Sequence, residues 1–89
     1  MTYRIVVERK ASKELGRLPK SVQERLVQAI DSLAETPRPP GCRPVKAAPK
    51  GTYRIRIGDY RIIYAVMDEK NIVIIARIAL RGEQTYRGL

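Results

Sequence analysis

Tyr53-Arg54-Ile55-Arg56-Ile57-Gly58-Asp59-Tyr60-Arg61-Ile62-Ile63-Tyr64 alternates apolar and basic side chains on either side of a Gly-Asp pair. That alternation is the signature of a β-hairpin, because side chains of a strand point to opposite faces in turn and Gly-Asp suits a two-residue loop. With Gly58-Asp59 as the loop, Ile57 faces Tyr60, Arg56 faces Arg61, Ile55 faces Ile62 and Tyr53 faces Tyr64. Tyr53, Ile55, Ile57, Tyr60, Ile62 and Tyr64 then share one apolar face, and Arg54, Arg56 and Arg61 share the other. Like charges directly opposite one another, as Arg56 and Arg61 are in this register, cost stability. A bound polyanion relieves that cost.

Outward from the hairpin, the chain reads as a β-α-α-β-β-β domain. Thr2 to Val7 is β-branched and aromatic enough for an opening strand. Ala11, Leu15 and Leu18 recur at helical spacing up to Pro19, which closes a first helix. Ser21-Val22-Gln23-Glu24 has the form of a capping box opening a second helix. Val22, Leu26, Ala29, Ile30 and Leu33 form its apolar stripe, and it should end near Glu35 or Thr36, ahead of Pro37, Pro39 and Pro40. Residues 37 to 51 hold five of the six prolines, so they form a stiff connection, and such long loops are often functional. After the hairpin, a three-residue turn at Asp68-Glu69-Lys70 leads to a strand from Asn71 to Ala79. That turn places Ile72, Ile74, Ala76 and Ile78 on the core face and Arg77 opposite Arg61 on the arginine face. The expected fold is α+β, a helical hairpin packed on an antiparallel sheet, in one domain spanning residues 1–89.

Composition narrows the chemistry. The chain has 18 Lys and Arg against 9 Asp and Glu, a net charge of +9, and the excess is local. Residues 1 to 37 carry seven basic and five acidic side chains, whereas residues 38 to 66 carry seven basic ones offset only by Asp59. Such a field favours phosphate backbones or anionic membrane surfaces, permits an acidic protein partner, and makes binding depend on salt. Lys13 on the first helix, Arg43, Lys46 and Lys50 in the proline-rich connection, and Arg77 on the arginine face are the candidate RNA-binding side chains. No apolar run approaches the ~20 residues of a membrane span, so the expected location is cytoplasmic, with no membrane partner. With one cysteine, Cys42, and no histidine, neither an intramolecular disulfide nor the usual zinc sets can be built. Ser12, Ser21, Ser32 and Cys42 lack a histidine base, and Asp59, Asp68 and Glu69 lie at turns, so no metal or other cofactor is expected. What remains is a site of guanidiniums and a phenol. Arginine orients a phosphate and stabilises charge that develops on it, but its pKa, above ~12, makes it a poor base. Proton transfer falls to Tyr86 or an ionised neighbour, and the same ring could stack on a nucleobase.

The hairpin from Gly51 to Tyr64, with the helical pair before it and Leu80-Arg81 and Tyr86-Arg87 after it, resembles the RelE branch of the RelE/ParE toxin superfamily over essentially the whole chain. The resemblance implies a toxin of a type II toxin-antitoxin pair that enters the A site of the 70S ribosome and cuts mRNA by metal-independent attack of a 2′-hydroxyl. It also implies a cognate RelB-like antitoxin, and contact with operator DNA only through the toxin-antitoxin complex. Position by position, it implies a catalytic set of Arg54, Arg56, Arg61, Arg81 and Tyr86. Arg61 would orient phosphate, Arg81 would serve the leaving group and transition state, and Tyr86 would stack or transfer a proton. Two other readings share the basic surface: a ParE-like inhibitor of DNA gyrase, and a non-catalytic RNA- or ribosome-binding module.

Overall fold

The alternation in residues 53 to 64 becomes the centre of a five-stranded sheet flanked on one face by two helices. The structure is a computed structural model and describes residues 2–80. Its elements are β1 (Arg4–Val7), α1 (Arg9–Gly16), α2 (Lys20–Ser32), β2 (Arg43–Pro44), β3 (Thr52–Ile57), β4 (Tyr60–Met67) and β5 (Ile72–Leu80), with a short 3₁₀ turn at Asp68–Lys70. Strand order is β1-β5-β4-β3-β2. The sheet is mixed: β1 runs parallel to β5, and the other neighbours are antiparallel.

The β3–β4 hairpin has the register that the alternation requires, with Ile57 against Tyr60, Arg56 against Arg61, Ile55 against Ile62 and Tyr53 against Tyr64. Gly58 takes φ +60° while Asp59 stays at negative φ, the combination of a type II′ turn, whose twist matches that of the strands. The apolar face of the hairpin meets the helices. Ala11, Leu26, Ile30 and Leu33 pack with Ile62, Tyr64, Val66, Val73, Ile75 and Ile78, and Tyr53, Ile55, Ile57 and Tyr60 close the rim. A fully buried side chain such as Leu26 contributes roughly 1.5–3 kcal/mol by leaving water.

Several local expectations are corrected. Pro19 does not terminate α1, which ends at Gly16; it is the N-cap residue of α2. The Ser21–Glu24 capping box does not form, because α2 has already begun at Lys20 and no side chain caps it. Gln23 turns back instead and donates to the carbonyls of Leu18 (2.9 Å) and Gly16 (3.4 Å), joining the two helices. The α-helix itself stops at Ser32, and looser turns carry the chain to Glu35.

The largest correction concerns β5. The β4–β5 connection has four residues rather than three, because Asn71 adopts the left-handed conformation at φ 53°. Met67 therefore pairs with Ile72, and Val73 and Ile75 are buried where Ile72 and Ile74 were expected. A one-residue slip in a strand exchanges its faces. The slip is then followed by a bulge: Tyr64 pairs with Ile75 but Ile63 pairs with Arg77, leaving Ala76 as the extra residue. Past the bulge Ile78 returns to the core, while Arg77 lies opposite Ile63 rather than Arg61.

Candidate functional site

The face of the sheet away from the helices carries two cross-strand arginine pairs side by side. Arg56 of β3 is the direct partner of Arg61 of β4, and Arg54 of β3 is the partner of Arg43 of β2. The second pair exists because part of the proline-rich connection forms the edge strand β2, which sequence reading took as loop. Val45 is buried beside it and its amide bonds to the Thr52 carbonyl at 3.0 Å, fixing the strand on the sheet. Arg43, Pro44, Val45, Lys46, Ala47 and Arg54 line a concavity of about 570 Å³. Among the described residues, no carboxylate forms an ion pair with Arg43, Lys46, Arg54 or Arg56.

At the hairpin tip the Arg56 Nε donates to the Gly58 carbonyl at 3.4 Å. The guanidinium of Arg25, from α2, lies over the same glycine, so close that a Cβ at Gly58 would stand 3.1 Å from its Nη2. Arg25 escaped sequence reading because it falls on the polar side of an ordinary amphipathic helix. Only packing of α2 against the sheet brings it to the turn.

The other expected residues are dispersed. Lys13 is exposed on α1, in the helical layer, and Lys50 is exposed in the turn before β3. Arg81 and Tyr86 lie outside the described residues. Arg77 is held in an ion pair with Glu14: its Nε donates to both carboxylate oxygens at 3.2 and 3.0 Å and its Nη2 stands 2.9 Å from Oε2. Glu14 also accepts the Ile78 amide at 2.8 Å. The reason is topological. β1 pairs with β5 only as far as Ile75, and α1 packs alongside the rest of the strand, where the Glu14 carboxylate replaces a missing strand partner. With the two side chains only 15% and 19% exposed, this pair joins helix to sheet.

A second polar cluster occupies the opposite end of the β4–β5 hairpin. Asp68 accepts from the Tyr3 hydroxyl at 2.7 Å and from both terminal nitrogens of Arg38, at 3.2 and 2.6 Å. The Arg38 Nε bonds to the Tyr53 hydroxyl at 3.1 Å, and its guanidinium carbon stands 5.3 Å from the centre of that ring. Tyr53 stacks on Tyr64, whose hydroxyl donates to the Pro37 carbonyl at 2.8 Å. The bonds from Arg38 and Tyr3 hold the Asp68 carboxyl below its ordinary pKa. The bond to Asp68 raises that of Tyr3, and burial, followed by the neighbouring Cys42 thiol, raises that of Tyr64. Both phenols are thus held protonated and are not poised as bases.

The described residues therefore gather cations on one face of the sheet but contain no assembled general base. They also bring no three Asp, Glu or Cys side chains together as a metal site, and no helix among them is long and apolar enough to cross a membrane. Residues 5–85 match the family described as the ParE toxin of the type II toxin-antitoxin system parDE. The chain is 31% identical over 90 residues to RelE1 of Methanocaldococcus jannaschii, covering 98% of both proteins. It is 31% identical over 86 residues to the toxin RelE of Mycobacterium tuberculosis, covering 96% of this chain and 87% of that one. Its fold superposes on a chain of the archaeal RelE–RelB complex of Pyrococcus horikoshii with a TM-score of 0.82 at 31% identity, over 93% and 99% of the two chains. On this sequence and fold similarity, the chain is a RelE-like toxin and belongs to the RelE branch of the RelE/ParE superfamily of toxin-antitoxin systems.

Proposed function

We propose that this toxin is a ribosome-dependent endoribonuclease that cuts mRNA in the A site without a metal. The observation that carries the reading is the pairing of Arg56 with Arg61 next to Arg43 with Arg54, four guanidiniums on one face of the sheet. A site of this kind binds a phosphodiester and stabilises the extra negative charge of its pentacoordinate transition state. The ribose 2′-oxygen attacks the adjacent phosphorus, the bond to O5′ breaks, and a 2′,3′-cyclic phosphate and a 5′-hydroxyl result. The proton lost by the 2′-oxygen is balanced by the one gained at O5′.

In this scheme Arg61 orients the phosphate and Arg54 and Arg56 neutralise it. Arg81 serves the leaving group and Tyr86 stacks on a base or relays the proton. Arginine cannot itself take the proton, since its pKa lies above ~12. In this reading the ribosome bends the message into line and presents it to the arginine face. The proposed location is accordingly the cytoplasm. The proposed inhibitory partner is a RelB-like antitoxin, supported by the RelE–RelB assembly of the Pyrococcus horikoshii relative.

Primer extension on mRNA from translating ribosomes tests the reading. Cuts within A-site codons, absent with Arg61→Ala, are the expected result; unbroken message beside a growth arrest refutes it. The matching family description names ParE, so inhibition of DNA gyrase is the competing reading. Loss of supercoiling by purified gyrase, with message intact, would establish that alternative.

A further inference from the structure

The concavity at the β2 edge is a built feature. Val45 is 7% exposed and ties β2 to β3, and this seating brings Arg43 directly opposite Arg54. Lys46 follows the strand and lines the same concavity, whose remaining lining is Pro44, Val45 and Ala47. Three cations thus share about 570 Å³ without an acidic lining residue. Cross-strand like charges are destabilising, so the arrangement is the signature of an anion site. Its ligand is narrowed by what lies beside it. Arg54 and Arg56 are two residues apart on one strand and point to the same face, so the concavity and the Arg56–Arg61 pair are separated by roughly 7 Å. One nucleotide of an extended strand spans that interval. The small apolar lining offers no aromatic surface for a base, so the recognised group is the backbone.

We propose that Arg43 and Lys46, with Arg54 shared between the two sites, form a second phosphate site, taking the RNA backbone phosphate adjacent to the one held at Arg56 and Arg61. The inference rests on the reading of this face as an RNA site and extends it. The message lies across the sheet from β4 towards the β2 edge, and β2 fixes its direction. Binding the scissile phosphate and its neighbour together aligns the strand at the scissile bond, which one phosphate contact leaves free to swivel.

The test uses Arg43→Gln/Lys46→Gln, both exposed positions, with an unchanged thermal midpoint as the check of folding. Binding of the full chain to a fully 2′-O-methylated hexanucleotide, which cannot be cut, is followed by anisotropy across a salt series. Loss of the one phosphate contact made at this site lowers the slope of log K against log salt by about 0.7 on a single strand. Arg17→Gln on α1 serves as a control and leaves the slope unchanged. In a second arm, a neutral methylphosphonate replaces the phosphate on either side of the cut in a ribosome-bound message. At one of these positions it slows wild-type cleavage by roughly tenfold and slows the double variant no further.

An unchanged salt slope overturns the second phosphate site even if the wild-type protein cuts normally. A reduced slope with additive methylphosphonate effects on both sides overturns its assignment to the adjacent phosphate. A reduced slope without cleavage of any message leaves the phosphate site standing and removes the nuclease reading.

Discussion

Two groups of arginines in this domain are not separated by amino-acid type alone. Arg77 and Arg38 are locked to carboxylates: Arg77 binds Glu14 at the seam of α1 and β5, and Arg38 binds Asp68 while lying against Tyr53. Arg43, Arg54 and Arg56 face other arginines across strands and have no carboxylate in ion-pair contact among the described residues. The first group closes contacts between segments 63 and 30 residues apart. The second group concentrates positive potential at a cost in stability. The contrast predicts opposite consequences for mutation: losses of stability in one group and losses of ligand binding or chemistry in the other.

The sharpest separation comes from Arg61, the partner of Arg56. Arg61→Ala should lower cleavage by roughly a hundredfold to a thousandfold, the usual loss for one transition-state donor, with a cooperative thermal transition retained. A folded variant that cuts at the wild-type rate breaks the assignment of this face to catalysis. Glu14→Ala should act on stability instead, lowering it by about 2–3 kcal/mol in urea titration, because it strands both a half-dry guanidinium and the Ile78 amide. If Glu14→Ala is neutral, the Arg77 pair is not structural and the two groups merge.

Arg56→Gln should have the reverse sign, raising stability by about 0.2–1 kcal/mol through relief of the pair with Arg61 while weakening RNA binding. Unfolding free energy and oligonucleotide affinity, measured on one preparation, report both effects. The smallest effect concerns acid. Asp68 has a lowered pKa in the folded state, so its contribution is present above the ordinary carboxylate value of about 3.9 and is lost as pH falls through the folded value. Wild type should therefore exceed Asp68→Asn in stability at neutral pH, and the difference should shrink in acid. A pH-independent difference would remove the Arg38–Asp68 contact from the stabilising group.

The hairpin was legible because its information is local. Period-2 alternation and a two-residue Gly-Asp loop leave one register that turns Tyr53, Ile55 and Ile57 towards the core, and the structure adopts it. The helices were legible for a similar reason, since the stripe of Leu26, Ile30 and Leu33 recurs at helical spacing and is buried. β5 was misregistered because loop length there depends on the backbone conformation of Asn71, and the bulge at Ala76 has no glycine or proline to mark it at the end of the apolar run from Ile72. The expected placement of Arg77 opposite Arg61 failed for the same reason, and its ion-pair partner Glu14 lies 63 positions away.

By itself, the sequence determined the class of elements, the apolar and basic faces of the hairpin and the excess of positive charge beyond residue 37, because periodicity and charge are properties of neighbouring residues. Tertiary structure alone decided which cations share a surface. It turned part of a proline-rich loop into an edge strand that sets Arg43 opposite Arg54, brought Arg25 from α2 to the turn at Gly58, and withdrew Arg77 and Arg38 into ion pairs. The physical reason is that a guanidinium looks the same in sequence wherever it stands. Whether it binds a ligand or the protein itself depends on where packing puts the nearest carboxylate.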